Sequence, residues 1–197
     1  MGTHGIPSAP PGRRSGPGLL VVAGAGLIGS RLADIARDSG WRIRILHRSR
    51  RGRAPREGIE VEGCGREHAW WAPAGRPLAP GALEGARAVV CLSGAPIAPR
   101  PWTPARRRAL AASRLSTTAL IARVAAGLPP AGRPGVLLSG SATGFYGDRG
   151  DEILTEACGP GEGFLSELCQ RWEAAAGPAA RAGLRLSLIH ISEPTRP

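Results

Sequence analysis

The feature that most constrains this chain is the run Gly24-Ala25-Gly26-Leu27-Ile28-Gly29. Leu19-Leu20-Val21-Val22-Ala23 precedes it, a short continuous apolar run suited to a strand buried on both faces. After it, Ile28, Leu32, Ile35 and Ala36 fall at helical spacing, and Gly40 ends the pattern beyond Ser39. Between a buried strand and a helix, three glycines at this spacing have separate tasks. Gly24 permits a tight turn, Gly26 lets the backbone approach a ligand, and Gly29 lets helix and strand pack closely. The helix N-terminus then faces that ligand with unpaired N–H groups, which suits a pyrophosphate. In this context the pattern implies a dinucleotide cradle, with contacts expected at Gly24, Gly26, Leu27, Ile28 and Gly29.

The remaining periodicity extends this start into an α/β fold. Trp41, Ile43 and Ile45 alternate with Arg42 and Arg44, predicting a second strand ending at His47. From Arg48 to Gly81 the pattern is weak; Ile59 and Val61 suit a short strand, and Trp70-Trp71 a loop or a cover over the sheet. Ala88–Leu92 and Gly135–Ser139 read as buried strands. Helices are expected from about Pro104 to Ala126 and from Phe164 to Ala176, with a glycine-rich loop from Gly140 to Gly163 and a last strand from Leu184 to Leu188. Apolar strands alternating with helices predict a Rossmann-type, doubly wound parallel sheet, incomplete at its C-terminal end. The expected organisation is a disordered leader over 1–18, rich in Pro and Gly, a partial dinucleotide-binding domain over 19–188, and a non-native tail over 189–197.

Charge decides the cofactor. The net charge is +11, and all 26 basic residues are arginine; there is no lysine. Binders of NAD place a carboxylate at the end of the second strand for the ribose hydroxyls. Here the position reads His47-Arg48-Ser49-Arg50, and an arginine can clamp a 2′-phosphate instead, so NADP is expected over NAD. The arginines form no stripe interleaved with aromatics, so no nucleic-acid partner is expected. No apolar run is long enough for a bilayer, so no membrane partner is expected either. The four cysteines and four histidines lie at neither C-x-x-C nor zinc spacing. No metal is expected, and free thiols suit a reducing, cytoplasmic setting.

Further motifs carry a family resemblance. Ser139-Gly140-Ser141-Ala142-Thr143-Gly144-Phe145-Tyr146-Gly147 is similar to the Ser-Ser-Ala-x-x-Tyr-Gly segment of extended short-chain dehydrogenase/reductases. Arg100-x-Trp102-Thr103, Ser113-Arg114 and Cys169-x-x-Trp172-Glu173 resemble the atypical subgroup called epimerase family proteins, over about Leu19 to Leu188. The resemblance implies an NADP(H)-binding Rossmann fold with cofactor contacts at His47, Arg48, Leu92, Ser93 and Arg114. It implies that Ser141 orients a small-molecule substrate of unknown identity.

Catalysis is harder to place. The superfamily's Tyr-x-x-x-Lys engine is absent, because the chain has no lysine and its one tyrosine is Tyr146. Tyr146 or Glu167 is the substitute acid/base expected, and a neighbouring arginine would be needed to lower the phenol's high pKa. The expected function is an NADP-dependent oxidoreductase or epimerase with impaired catalysis. The alternative is a non-catalytic nucleotide sensor or scaffold. The resemblance implies a length of roughly 300 residues, so a truncated chain with a foreign tail is expected, of unknown oligomeric state.

Overall fold

A computed structural model describes residues 17–48, 59–61, 66–71, 78–79, 81–98 and 101–191. Among these residues seven strands form one sheet: β1 (Leu19–Ala23), β2 (Arg42–Arg48), β3 (Ile59–Val61), β4 (Arg66–Trp71), β5 (Ala86–Cys91), β6 (Val136–Ala142) and β7 (Arg185–Ile191). Their order is β3-β4-β2-β1-β5-β6-β7. Every neighbouring pair is parallel except β3 with β4. Without β3 this is the expected doubly wound topology, and the strand order reverses at β1.

Among the described residues, three α-helices cover the two faces: α1 (Leu27–Asp38), α2 (Pro104–Gly127) and α3 (Phe164–Arg181). On one face, Leu20, Val22, Ile43 and Ile45 pack against Ala33 and Ala36 of α1. On the other, Val21, Ala23, Val89, Cys91 and Leu137 pack with Ile121, Ala122 and Ala125 of α2 and Ala179 of α3. Strands that read as continuous apolar runs do so because both faces are covered. α2 begins where Thr103 accepts the Arg106 N–H at 3.2 Å, with Pro104 in the first turn, where its missing N–H costs nothing. No helix among the described residues is long and apolar enough to cross a membrane.

The structure corrects several boundaries. Trp70-Trp71 is neither loop nor cover; it ends β4, paired in register with His47 and Arg48. This strand escaped hydropathy because it carries charge into the interior. Glu67 is buried and holds Arg44, itself buried, at 2.5 Å, while Arg44 also donates to the carbonyls of Gly81 and Ala82. α3 runs through Pro178 to Arg181 rather than stopping at Ala176. β6 extends through Ala142 before a short 3-10 turn over Thr143–Tyr146. β7 continues past Leu188 because Gly140, Ser141 and Ala142 still offer ladder partners to Ile189, His190 and Ile191. Most of the leader, up to residue 16, and residues 192–197 of the tail lie outside the described residues.

Candidate functional site

Two connected hollows open at the C-terminal ends of the strands, where ligands bind in open α/β sheets. The first, about 280 Å³, lies at the β1–α1 turn and is lined by Gly24, Ala25, His47, Arg48, Ser93 and Ser113 among others. The second, about 610 Å³, lies between the β5 and β6 ends and helices α2 and α3. Gly94 and Ala95 line both.

The glycines behave differently from one another. Gly24 has φ +102°, and a Cβ there would come within 2.6 Å of the Leu92 carbonyl carbon. The turn therefore passes close beneath the end of β5. A Cβ on Gly29 would overlap the Gly24 carbonyl oxygen, so this glycine sets how closely α1 approaches β1. Gly26 has nothing within 4 Å of its Cβ position; its bare face is open. It is also the residue before α1, whose first amides, from Leu27 to Gly29, lack intrahelical acceptors. Leu27 and Ile28 have exposed side chains, 85% and 50%, so any contact they make with a phosphate runs through the backbone.

Of the other expected cofactor positions, His47, Arg48 and Ser93 line the first hollow. Leu92 and Arg114 line the second. Arg114 is buried, with its guanidinium 5.3 Å from the Trp172 ring centroid and donating to the Leu110 carbonyl at 3.3 Å. Gly94 lies directly against it; a Cβ there would meet the guanidinium carbon at 2.9 Å. Trp172 is held in turn by its Nε1–H, which donates to Thr118 Oγ1 at 2.9 Å, and by the bare face of Gly140. Sequence reasoning missed Ser113 as a loop anchor. Its Oγ accepts the Ala95 N–H at 2.9 Å and donates to the Leu110 carbonyl, fixing the loop that joins the two hollows.

The second hollow is largely apolar, with Leu165, Leu168, Cys169, Trp172 and Trp102 around Ser141. Ser141 is fully buried, and its Oγ donates to Glu173 Oε1 at 2.5 Å. Glu173 was not singled out as a site group; it lies on α3, 32 residues away, and only its place in the Cys-x-x-Trp-Glu motif marked it. The Cys169 thiol is pushed up in pKa by burial, which outweighs the hydrogen bond to the Ala142 carbonyl. It is a poor thiolate.

Tyr146 does not line the hollow. Its hydroxyl meets His190 Nδ1 at 3.1 Å, and its ring packs edge-on against Phe145 and His190. Burial, with the charges of Glu156 and Glu173 and the Cys158 thiol, raises the phenol's pKa. The lowering arginine expected from sequence is replaced by carboxylates. Glu167 sits exposed in the first turn of α3. Among the described residues no cluster of His, Cys, Asp and Glu is arranged to hold a metal.

No protein-family model matches the chain. An epimerase family protein of Mycobacterium bovis is 33% identical over 171 residues, which is 86% of this chain and 52% of that protein. An Arabidopsis thaliana chloroplastic homologue of the same family is 30% identical over 176 residues, covering 87% of this chain and 47% of its own. Among solved structures, a nucleoside-diphosphate sugar epimerase from Corynebacterium glutamicum superposes with a TM-score of 0.68 at 31% identity, over 88% of this chain and 33% of that one. A human epimerase family protein solved with NADPH gives 0.65 at 23% identity, over 87% and 52%. The chain thus spans about half the length of the curated relatives it matches. Over that half, the chain belongs to the epimerase family proteins, a branch of the extended short-chain dehydrogenase/reductases.

Proposed function

We propose that this chain forms the NADP(H)-binding part of an oxidoreductase or epimerase acting on an unidentified small molecule. The observation that carries the reading is the bare face of Gly26 at the α1 N-terminus, directly after the Gly24 and Ala25 that line a hollow whose wall also holds His47 and Arg48 rather than a carboxylate. The residues suit the group. Gly24, Gly26 and the first amides of α1 would hold the pyrophosphate, Arg48 and His47 the 2′-phosphate, and Ser93 the adenosine side. Arg114 would serve at the junction with the second hollow. The NADPH in the human relative's structure and the NAD in more distant sugar-nucleotide enzymes support a nicotinamide dinucleotide; Arg48 favours the phosphorylated one. Fluorescence titration with both reduced cofactors tests this. NADPH is expected to bind more tightly, and tighter binding of NADH overturns it.

When bound, the cofactor supplies hydride exchange with a substrate carbon. The chain's own part is polar positioning. Because Ser141 gives its one proton to Glu173 Oε1, its oxygen offers only lone pairs to the hollow. Ser141 held this way accepts a hydrogen bond from a substrate hydroxyl. The surrounding Leu165, Leu168 and Trp172 exclude water from that contact.

One observation favours a second reading, a nucleotide sensor or scaffold without turnover. Leu165 and Cys169, one helical turn apart on α3, face the hollow where a tyrosine and lysine would be needed. NADPH oxidation against a carbonyl panel, by a protein of the relatives' full length, separates the two. Turnover that survives Ser141→Ala excludes the positioning role for that serine.

A further inference from the structure

On the reading that the first hollow holds the cofactor, we infer that the second hollow beside it takes a ring-bearing, largely apolar small molecule and does not recognise a sugar nucleotide. Its volume of about 610 Å³ lies within the range of small-molecule sites, about 300–1,000 Å³. Such sites orient a ligand through a few polar groups and reject molecules whose own polar groups they leave unpaired. The ligand class is therefore set by the donors and acceptors that the walls still offer.

Those are few. Among the described residues that line the hollow, none is Asp, Glu, Asn, Gln or His. Thr143 is exposed, and the other polar side chains are engaged within the protein. Trp102 Nε1–H donates to the Ile97 carbonyl at 3.2 Å, Trp172 Nε1–H to Thr118, and the Cys169 thiol to the Ala142 carbonyl at 3.8 Å. Ser141 gives its proton to Glu173 and keeps only acceptor capacity, which suits one hydroxyl. Arg114 is held between Trp172, Leu110 and Gly94, at the boundary with the first hollow. The loop backbone is engaged as well. The Ala95 N–H is bonded to Ser113, Pro96 has no N–H, and the Pro96 and Ile97 carbonyls accept from Arg106 and Trp102. A hexose brings several hydroxyls, each both donor and acceptor, and most of them would leave water here without finding a partner.

The ring follows from Trp102. This side chain is 38% exposed although its neighbours fix it in place. Its ring packs on Phe164, with centroids 5.8 Å apart. The Arg107 guanidinium lies 5.2 Å from the Phe164 centroid, and Arg107 Nε donates to the Trp102 carbonyl at 3.2 Å. A large aromatic side chain that is held yet left partly uncovered offers a preformed flat face, on which another ring packs with little ordering cost. Ile97, Leu165 and Leu168 supply further apolar surface.

The 197-residue chain is titrated calorimetrically with 2-naphthol, a flat apolar ring carrying one hydroxyl, and separately with UDP-glucose. The wild type is compared with Trp102→Ala, which removes the flat face, and with Leu165→Trp, which fills the hollow from a half-buried wall position. The wild type is expected to bind 2-naphthol, and each variant to bind it about tenfold more weakly. Neither variant is expected to change the response to UDP-glucose. No binding of 2-naphthol, or equal affinity in wild type and variants, overturns the inference; that result is expected if this face is a seat for further polypeptide. A UDP-glucose affinity that falls in the variants overturns it too. If circular dichroism shows that neither variant folds, nuclear Overhauser contacts between 2-naphthol and the Leu165 methyls of the wild type decide. Their presence supports the inference and their absence overturns it. NADPH is titrated on the same wild-type protein to keep the two readings apart. Binding of 2-naphthol without NADPH supports the ligand class and refutes the cofactor reading; binding of NADPH without 2-naphthol overturns the ligand class alone.

Discussion

Substituting alanine at Gly26 and at Gly29 separates ligand recognition from packing within one turn. At Gly29 the added methyl overlaps the Gly24 carbonyl oxygen and sits 3.1 Å from its carbon and 3.4 Å from Val22 Cγ1. A carbonyl fixed in the backbone cannot rotate away, so α1 must lift from β1. Alanine gains about 1 kcal/mol of helix propensity over glycine, against an overpacking cost of about 1–3 kcal/mol. The net expectation is a loss of about 1 kcal/mol, or a few degrees in Tm for a domain of this size. At Gly26 the methyl meets nothing within 4 Å, and φ of −78° with ψ of −165° is open to any residue. The entropy removed from the unfolded chain, about 0.4–1 kcal/mol, roughly offsets the poorer N-cap. Stability is therefore expected to hold, while the methyl occupies the approach to the α1 amides and weakens NADPH by about tenfold or more. Urea unfolding and cofactor fluorescence measure the two effects. A Gly26→Ala protein that binds NADPH like wild type, or a Gly29→Ala protein of undiminished stability, refutes the division of labour.

Other substitutions test the rest of the frame. Glu67→Gln leaves the buried Arg44 guanidinium without its counter-charge and should cost about 3 kcal/mol in urea unfolding. Burial pushes the Glu67 carboxyl up, but hydrogen bonds from Arg42 and Arg44 outweigh it and hold the group below the ordinary carboxylate range. The unfolded chain thus binds the proton first on acidification. The stabilisation is present above the ordinary carboxylate pKa and is lost as pH falls through the lowered value, so unfolding midpoints between pH 7 and 3 should drop more in wild type than in Glu67→Gln. Trp172→Phe removes the hydrogen bond to Thr118 and part of the platform under Arg114; a loss of about 1–3 kcal/mol is expected, with weaker NADPH binding by titration. Arg48→Ala should weaken NADPH about tenfold and leave NADH within error, a contrast that equilibrium titration reads directly.

The parts of the fold legible in the sequence were those whose burial is uniform. β1, β5 and β6 are covered on both faces and read as apolar runs, and the glycine spacing located the turn because Gly24 and Gly29 are dictated by backbone contacts alone. β4 was not legible. Its Glu67 is buried through an ion pair with a residue 23 positions earlier, and no local pattern announces a charge neutralised across strands. The same reason hid Glu173, which meets Ser141 only once α3 lies along β6. Tyr146 drew notice through its motif, yet the 3-10 turn directs its hydroxyl to His190 rather than into the larger hollow. No local pattern marks Arg114 as buried; the aromatic face of Trp172 and the bare backbone of Gly94 explain how it can be.

The composition of the first hollow's wall has a consequence for how the protein behaves with and without its ligand. Gly24 comes from the β1–α1 turn, His47 and Arg48 from β2, Ser93 from the end of β5, and Ser113 and Thr117 from α2. These four segments meet through strand pairings with β1, packing across the sheet and the Ala95 N–H bond to Ser113 Oγ. A bound dinucleotide would act as a rivet through four segments that the chain itself brings together only after long-range closure. It would raise the unfolding free energy by about 2.7 kcal/mol at a ligand concentration one hundred times Kd. It would also favour the fully assembled sheet over any partly docked state, because a fragment holding only the glycine turn offers half a grip.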